Sequence, residues 1–206
     1  MEIKKVEIDE KHFIDKVVSI HLATFKNFFL TFLGRGFLKE MYKSYVQHAE
    51  SGLLIAIQDD EVVGFLAFSY NMGGLYKHMI IRHIIPFAWY SFLAFLRKPK
   101  VLFRLLRAFL KPSESKRDDS YVELASIGVD PSKKSLGIGS NLIRHFVKSI
   151  DFTKYKYITL ETDAVDNEYA NAFYKKNGFK VERMYETHEG RKMFEYRLYQ
   201  DALSVT

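Results

Sequence analysis

Residues 121–144 constrain the fold of this chain more than any other stretch. Residues 121–129 form an apolar run of strand length, and Asp130-Pro131 stops it. Residues 136–150 then carry helical periodicity and open on Gly137 and Gly139. A buried strand therefore passes through a short glycine loop straight into a helix. A second strand at 157–162 and a second helix at 167–176 follow, and Asn177-Gly178 is a helix-stop signal.

Hairpins flank this core. Residues 53–58 and 62–70 read as two strands joined across Asp59-Asp60-Glu61, with Gly73-Gly74 ending the hairpin. Residues 179–187 and 191–199 form a terminal hairpin across His188-Glu189-Gly190. Upstream, 2–8 reads as a first strand and 12–25 as a helix. Gly34-Arg35-Gly36 reads as a break, and 37–49 as a further helix. The pattern predicts a mixed α/β sheet in a single domain spanning residues 1–206, not a purely doubly wound fold. A length of 206 residues suits one domain carrying an insertion.

The chain contains no cysteine, which excludes disulfides, thiolate nucleophiles and Cys-ligated metal centres. No signal-peptide core is present at the start, so a cytoplasmic location is the expectation. The formal net charge is +6, and it is concentrated in one region. Between Val62 and Ser113 there is no Asp or Glu, but there are Lys77, Arg82, Arg97, Lys98, Lys100, Arg104, Arg107 and Lys111. The rest of the chain is slightly acidic. One local basic segment argues against a nucleic-acid binder.

That segment, about 75–112, is apolar, aromatic and basic, with Pro86 and Pro99 as breaks. The apolar run 84–96 is too short to span a bilayer. On a helix, Lys100, Arg104, Arg107 and Lys111 form one basic stripe, and Leu102, Leu105, Leu106 and Phe109 cover another face. Two readings stay open for 97–111. It is a peripheral contact with an anionic membrane, or a grip on a phosphorylated acceptor; or it is a solvated face packed on the domain or on a dimer mate.

The glycine loop carries the chemistry. Glycines let the backbone approach a ligand closely. The first helical N–H groups have no internal partner, and with the helix dipole they form an anion site. Lys133 and Lys134 add positive charge at its rim. The loop is not a P-loop, since no Gly-Lys-Ser/Thr follows. It is not a dinucleotide fingerprint, since Leu142 stands where a third glycine belongs. Further on, Asn167 and Tyr174 lie two helical turns apart and share a face, with the small Ala170 between them.

Together the two stretches resemble the GNAT superfamily of acyl-CoA-dependent N-acetyltransferases. The family's first motif, Arg/Gln-x-x-Gly-x-Gly/Ala, corresponds to Lys134-Ser135-Leu136-Gly137-Ile138-Gly139, with Lys134 as the one departure. Its second, Asn-x-x-Ala-x-x-x-Tyr followed by Gly-Phe, is matched by Asn167, Ala170, Tyr174, Gly178 and Phe179. The resemblance spans about residues 2–199. It implies a mostly antiparallel sheet flanked by helices, with 75–112 as a helical insertion between the third and fourth strands.

The resemblance also implies acetyl-CoA as co-substrate, no metal, and an amine acceptor that attacks the thioester directly. Backbone N–H groups of Lys134, Leu136, Gly137, Ile138, Gly139 and Ser140 would hold the pyrophosphate. The strand edge at Ile127 and Val129 would pair with the pantetheine amides. Asn167 would bond the pantetheine arm, beside Ala170. Tyr174 would protonate the departing thiolate.

Glu123 is the candidate general base, six residues before Val129, and the alternative is an ordinary outward-facing strand residue. Glu161 is second choice. The expected acceptor is a small-molecule amine: an amino sugar, a sugar nucleotide or an amino acid. A homodimer is compatible with this reading. The competing reading is a non-catalytic membrane-surface or partner-binding module that retains the fold. His78 and His83 are spaced wrongly for a metal pair on one helical face. His21 is a candidate either for the acceptor pocket or for packing. Phe25, Phe28, Phe29 and Phe32 line an acceptor lid or fill the core.

Overall fold

A computed structural model describes residues 1–26, 29–97, 120–133, 136–187 and 190–200. The chain runs β1 (Glu2–Lys5), α1 (His12–Thr24), the single-turn α2 (Phe29–Phe32), α3 (Gly34–Gln47), β2 (Ser51–Gln58) and β3 (Glu61–Ser69). It continues α4 (Met72–Arg97), β4 (Tyr121–Val129), α5 (Ile138–Lys148), β5 (Tyr157–Asp163), α6 (Glu168–Lys176), β6 (Lys180–Glu186) and β7 (Lys192–Tyr199). The strands form one seven-stranded sheet in the order β1-β2-β3-β4-β5-β7-β6. Every neighbouring pair is antiparallel except β4 and β5.

Strand alternation gives the sheet two apolar faces. Leu53 and Ile55 of β2, with Phe65 and Ala67 of β3, face α1 and α3. Leu54 and Ala56, with Leu66 and Phe68, face α5. Leu142, Ile143, Phe146 and Val147 give α5 a continuous apolar stripe, while Arg144 and His145 point to solvent.

Two local features of β4 position the site. In the β3–β4 ladder Ala67 pairs with Ser126 and Phe68 with Leu124, so Ala125 is left as a bulge. The extra residue reverses the alternation. Val122 and Leu124 lie in the α5-side core before it, and Ile127 and Val129 pack on that same core after it. Secondly, β4 and β5 pair only from Tyr121↔Tyr157 to Glu123↔Thr159. Beyond that point β4 stays with β3 as far as Gly64↔Val129, and β5 stays with β7 as far as Asp163↔Met193. The sheet therefore splits into two halves that diverge from Glu123 onward.

Three sequence expectations need correction. The break expected at Gly34-Arg35-Gly36 is confined to its first residue: Gly34, with φ 85°, opens α3 and separates it from α2, and Arg35 and Gly36 already lie within α3. Gly36 is a packing notch there, since a Cβ would lie 2.2 Å from the Tyr90 ring. Gly73-Gly74 does not end the hairpin but opens α4. The Asn71 side chain caps that helix by accepting from the Gly74 N–H at 2.8 Å. Pro86 is not itself the break, because two helices meet three residues before it, at His83. The kink has non-helical dihedrals at His83 (φ −126°, ψ 17°), within the turn preceding the proline, where the ring crowds the backbone and removes a donor, and the second helix runs on through Pro86. The segment between β3 and β4 is thus helical as expected up to Arg97, and the basic stripe Lys100, Arg104, Arg107 and Lys111 lies outside the described residues.

Candidate active site

The mouth of the gap between β4 and β5 is closed on one side by the start of α5. Gly137 is the N-cap in left-handed conformation (φ 75°, ψ 5°), with no side-chain cap bond. A non-glycine residue there would be strained whatever the space around it. The first intrahelical bond of the ladder is from the Asn141 N–H to the Gly137 carbonyl at 3.0 Å. The N–H groups of Ile138, Gly139 and Ser140 therefore precede the ladder, at the positive end of the dipole. Leu136 and Gly137 are exposed at this end; Lys134 and Ser135 lie outside the described residues.

Gly139 has a second role. A Cβ would sit 3.0 Å from the Phe173 ring and 3.6 Å from Val129. The absent side chain lets the loop, the end of β4 and α6 meet. These residues fit a pyrophosphate: backbone donors, no obstructing Cβ, and an exposed approach.

β4 supplies the floor. The Asp130 N–H donates to the Val63 carbonyl at 2.9 Å, and Gly64 pairs with Val129. Antiparallel alternation then turns the backbone groups of Val129 and Ile127 away from β3, towards the gap that β5 has left. The Thr24 hydroxyl donates to the Val129 carbonyl at 3.1 Å and fixes this edge from α1.

On the α5 side of the gap stands α6. Asn167 is its N-cap, and its side-chain amide donates to Thr162 Oγ1 at 2.8 Å and to the Asp163 carbonyl at 3.2 Å. Asn171, which the sequence reading passed over, donates to the same carbonyl at 3.1 Å and accepts from the Tyr196 hydroxyl at 3.0 Å. A buried amide on an otherwise packed helix face was the available signal. Ala170 lies between these anchors and Tyr174. Tyr174 packs among Phe173, Phe179 and Tyr196, with ring centroids 5.4–5.9 Å away. Burial, and secondarily Tyr196, push its phenol above the ordinary value, so it stays protonated at neutral pH.

Glu123 alternates with Val122 and Leu124 and so faces the opposite side of the sheet, near Tyr45 of α3 and Tyr76 of α4. Partial burial, then the carboxylates of Glu123 and Glu161, push the Tyr76 phenol up. Glu161 accepts from the Tyr185 hydroxyl at 2.6 Å. The gap thus joins two environments: a phenol on the α6 side, and two carboxylates among tyrosines on the α4 side. Among the described residues no three His, Asp or Glu side chains converge as a metal site.

His21 belongs to the core. It is 1% exposed, its Nδ1 lies 2.7 Å from the Tyr42 hydroxyl, and its Nε2 has no partner. The Phe25 ring lies tilted against that of His21, centroids 4.8 Å apart, and Phe32 is exposed; the side chains of Phe28 and Phe29 lie outside the described residues. Burial pushes the His21 pKa down to about 4. The native state keeps the ring neutral while the unfolded chain protonates it near pH 6.5. Stability is therefore lost as pH falls from about 6.5 towards 4, by on the order of 2–3 kcal/mol. Urea unfolding of the native chain and of His21→Phe, each at both ends of that window, checks this. Equal pH losses in the two proteins would remove His21 as the cause.

The sequence profile of the Acetyltransferase (GNAT) family matches residues 22–179. No curated protein matches the chain by sequence. Several solved structures share its fold. A ribosomal-protein-alanine N-acetyltransferase from Brucella melitensis superposes with TM-score 0.62 at 12% identity, covering 97% of this chain and 99% of that one. A GNAT-family acetyltransferase from Bacillus cereus gives 0.58 at 16% identity, covering 96% of each chain. A polyamine N-acetyltransferase from Drosophila melanogaster gives 0.57 at 13%, covering 96% and 99%. At these identities the likeness is one of fold, whereas the profile match covers most of the chain. The chain belongs to the GNAT family and is an acetyl-CoA-dependent acetyltransferase.

Proposed function

We propose that the chain transfers the acetyl group of acetyl-CoA to a primary amine of a small molecule. The observation that carries this reading is the divergence of β4 from β5 beyond Glu123, with the donors of Ile138–Ser140 at the mouth and Tyr174 beside the gap. Acetyl-CoA supplies the activated thioester. The N–H groups from Leu136 to Ser140 hold its pyrophosphate. Ile127 and Val129 offer backbone groups to the pantetheine amides, and Asn167 and Ala170 border that arm.

The acceptor enters from the side of Glu123 and Glu161. Its nitrogen forms the new C–N bond as the C–S bond breaks. Glu123 takes the proton from nitrogen and Tyr174 gives one to sulfur. Two carboxylates among phenols suit an amine-bearing acceptor, and similar folds serve a polyamine N-acetyltransferase and an aminoglycoside 6'-acetyltransferase. Amino sugars, sugar nucleotides and amino acids head the acceptor list.

A panel of such amines, assayed for coenzyme A release, tests the acceptor class. Turnover with peptide N-termini alone would overturn it. Glu123→Gln is expected to lower kcat/KM by about 10²-fold on the acid side, where the acceptor is protonated, with the loss shrinking as the amine deprotonates. An unaltered pH profile would remove Glu123 as base.

A further inference from the structure

α4 is apolar nearly all round, yet among the described residues only one side of it is covered. Its inner side packs Leu75, Met79, Phe87 and Tyr90 onto the α1–α3 layer. His83 seats the kink there, with its ring nitrogens 3.0 Å from Glu40 Oε2 and 3.0 Å from Gln47 Oε1. Its outer side carries Ile80, Ile81, Ile84, Ile85, Trp89 and Phe92. All are exposed, Ile85 by 80% and Ile81 by 63%. These positions recur at helical spacing and form one continuous stripe. Lys77 and Arg82 are the only charged side chains among the exposed residues of that helix from Met72 to Phe92. A helix of this kind in a water-soluble fold has an apolar neighbour still to meet.

Charge decides which neighbour. The 52 residues from Val62 to Ser113 contain eight basic side chains and no acidic one. On the described part of this face the charged side chains are Lys77 and Arg82, so two copies meeting through it would bring like charge against like charge. An anionic bilayer offers the complement to both properties, with phosphate outside and hydrocarbon beneath. We propose that the outer face of α4 docks on the surface of an anionic lipid membrane. The helix lies in the interface, with Trp89 and the isoleucines below the headgroups and Lys77 and Arg82 among them. The helix lies on the bilayer and does not cross it, because no helix among the described residues is long and apolar enough to span one. Membrane contact thereby falls on α4, upstream of the 97–111 stretch nominated by sequence. α4 also carries Tyr76, beside Glu123 and Glu161, so the docked face and the acceptor side share one helix. The docking does not depend on which amine is acetylated.

Trp89 is the only tryptophan of the chain, so its emission reports this face alone. The full chain is titrated with vesicles of phosphatidylcholine and with an equimolar mixture of phosphatidylcholine and phosphatidylglycerol. The expected result is a blue shift with the anionic vesicles only, strong quenching when their acyl chains are brominated, and reversal by high salt. The double variant Ile81→Glu/Ile85→Glu, altered only at exposed positions, should lose both responses while keeping the native melting temperature and its rise with acetyl-CoA. Unchanged emission at saturating anionic lipid would overturn the proposal. So would a double variant that responds like the native chain, or a lipid-free dimer in which Trp89 is already shielded from an aqueous quencher. Loss of the acetyl-CoA response would bear on the enzymatic reading and not on docking.

Discussion

Tyr174→Phe lowers kcat by about 10²- to 10³-fold and leaves acetyl-CoA affinity nearly unchanged, as expected when a general acid is removed without disturbing its surroundings. In barrier terms that is about 2.7–4 kcal/mol. The substitution keeps the ring that touches Phe173, Phe179 and Tyr196, so fold and cofactor site should survive. The phenol sits above its ordinary pKa through burial, so it remains a proton donor across the neutral and mildly alkaline range. The loss should therefore be similar from about pH 6 to pH 9. Single-turnover kinetics at both pH values would check it. An unchanged kcat would make Tyr174 a packing residue only.

Phe146→Ala should cost about 3–5 kcal/mol of stability. The side chain is fully buried, and its ring lies 4.8 Å from that of Phe68 across the α5–sheet interface. No flexible neighbour is placed to refill that volume, since Leu142, Ile143 and Val147 are already packed in the same core. At about 2–4 °C per kcal/mol for a chain of this length, the melting temperature should fall by about 6–20 °C. Because α5 presents the loop donors, acetyl-CoA should bind the variant more weakly as well. A loss below about 1 kcal/mol would mean that α5 is not anchored through this ring.

The second half of the fold was legible because its signals are local. The strand at 121–129, the glycine loop, the helix ending at Asn177-Gly178 and the terminal hairpin all have punctuation within a few residues. The errors fell where glycine or proline serves a tertiary purpose. Gly36 admits Tyr90, Gly74 admits the Asn71 cap, and Pro86 bends α4 over α3 without ending it. Tyr90 and the helix under α4 lie too far along the chain to be read from the dipeptide, whereas Asn71, three residues before Gly74, is a local cap that the glycine pair obscured.

Site residues followed the same division. The motifs marked Gly137, Gly139, Asn167 and Tyr174; the first two stand at the start of α5 and the last two on α6, and the two helices meet where Gly139 approaches Phe173. The bulge at Ala125 and the early end of the β4–β5 ladder leave no mark in composition, because they depend on register with β3 and β7. Thr24 and Asn171 are single polar side chains whose meaning exists only through contacts made across the fold.

The most direct test of the central claim is a thermal melt with and without acetyl-CoA. At about 100 times Kd a one-site ligand stabilises by about 2.7 kcal/mol. For a chain of this length that predicts a rise of about 5–10 °C, and Tyr174→Phe should retain it. No rise with acetyl-CoA, in a protein that melts cooperatively, would contradict the account.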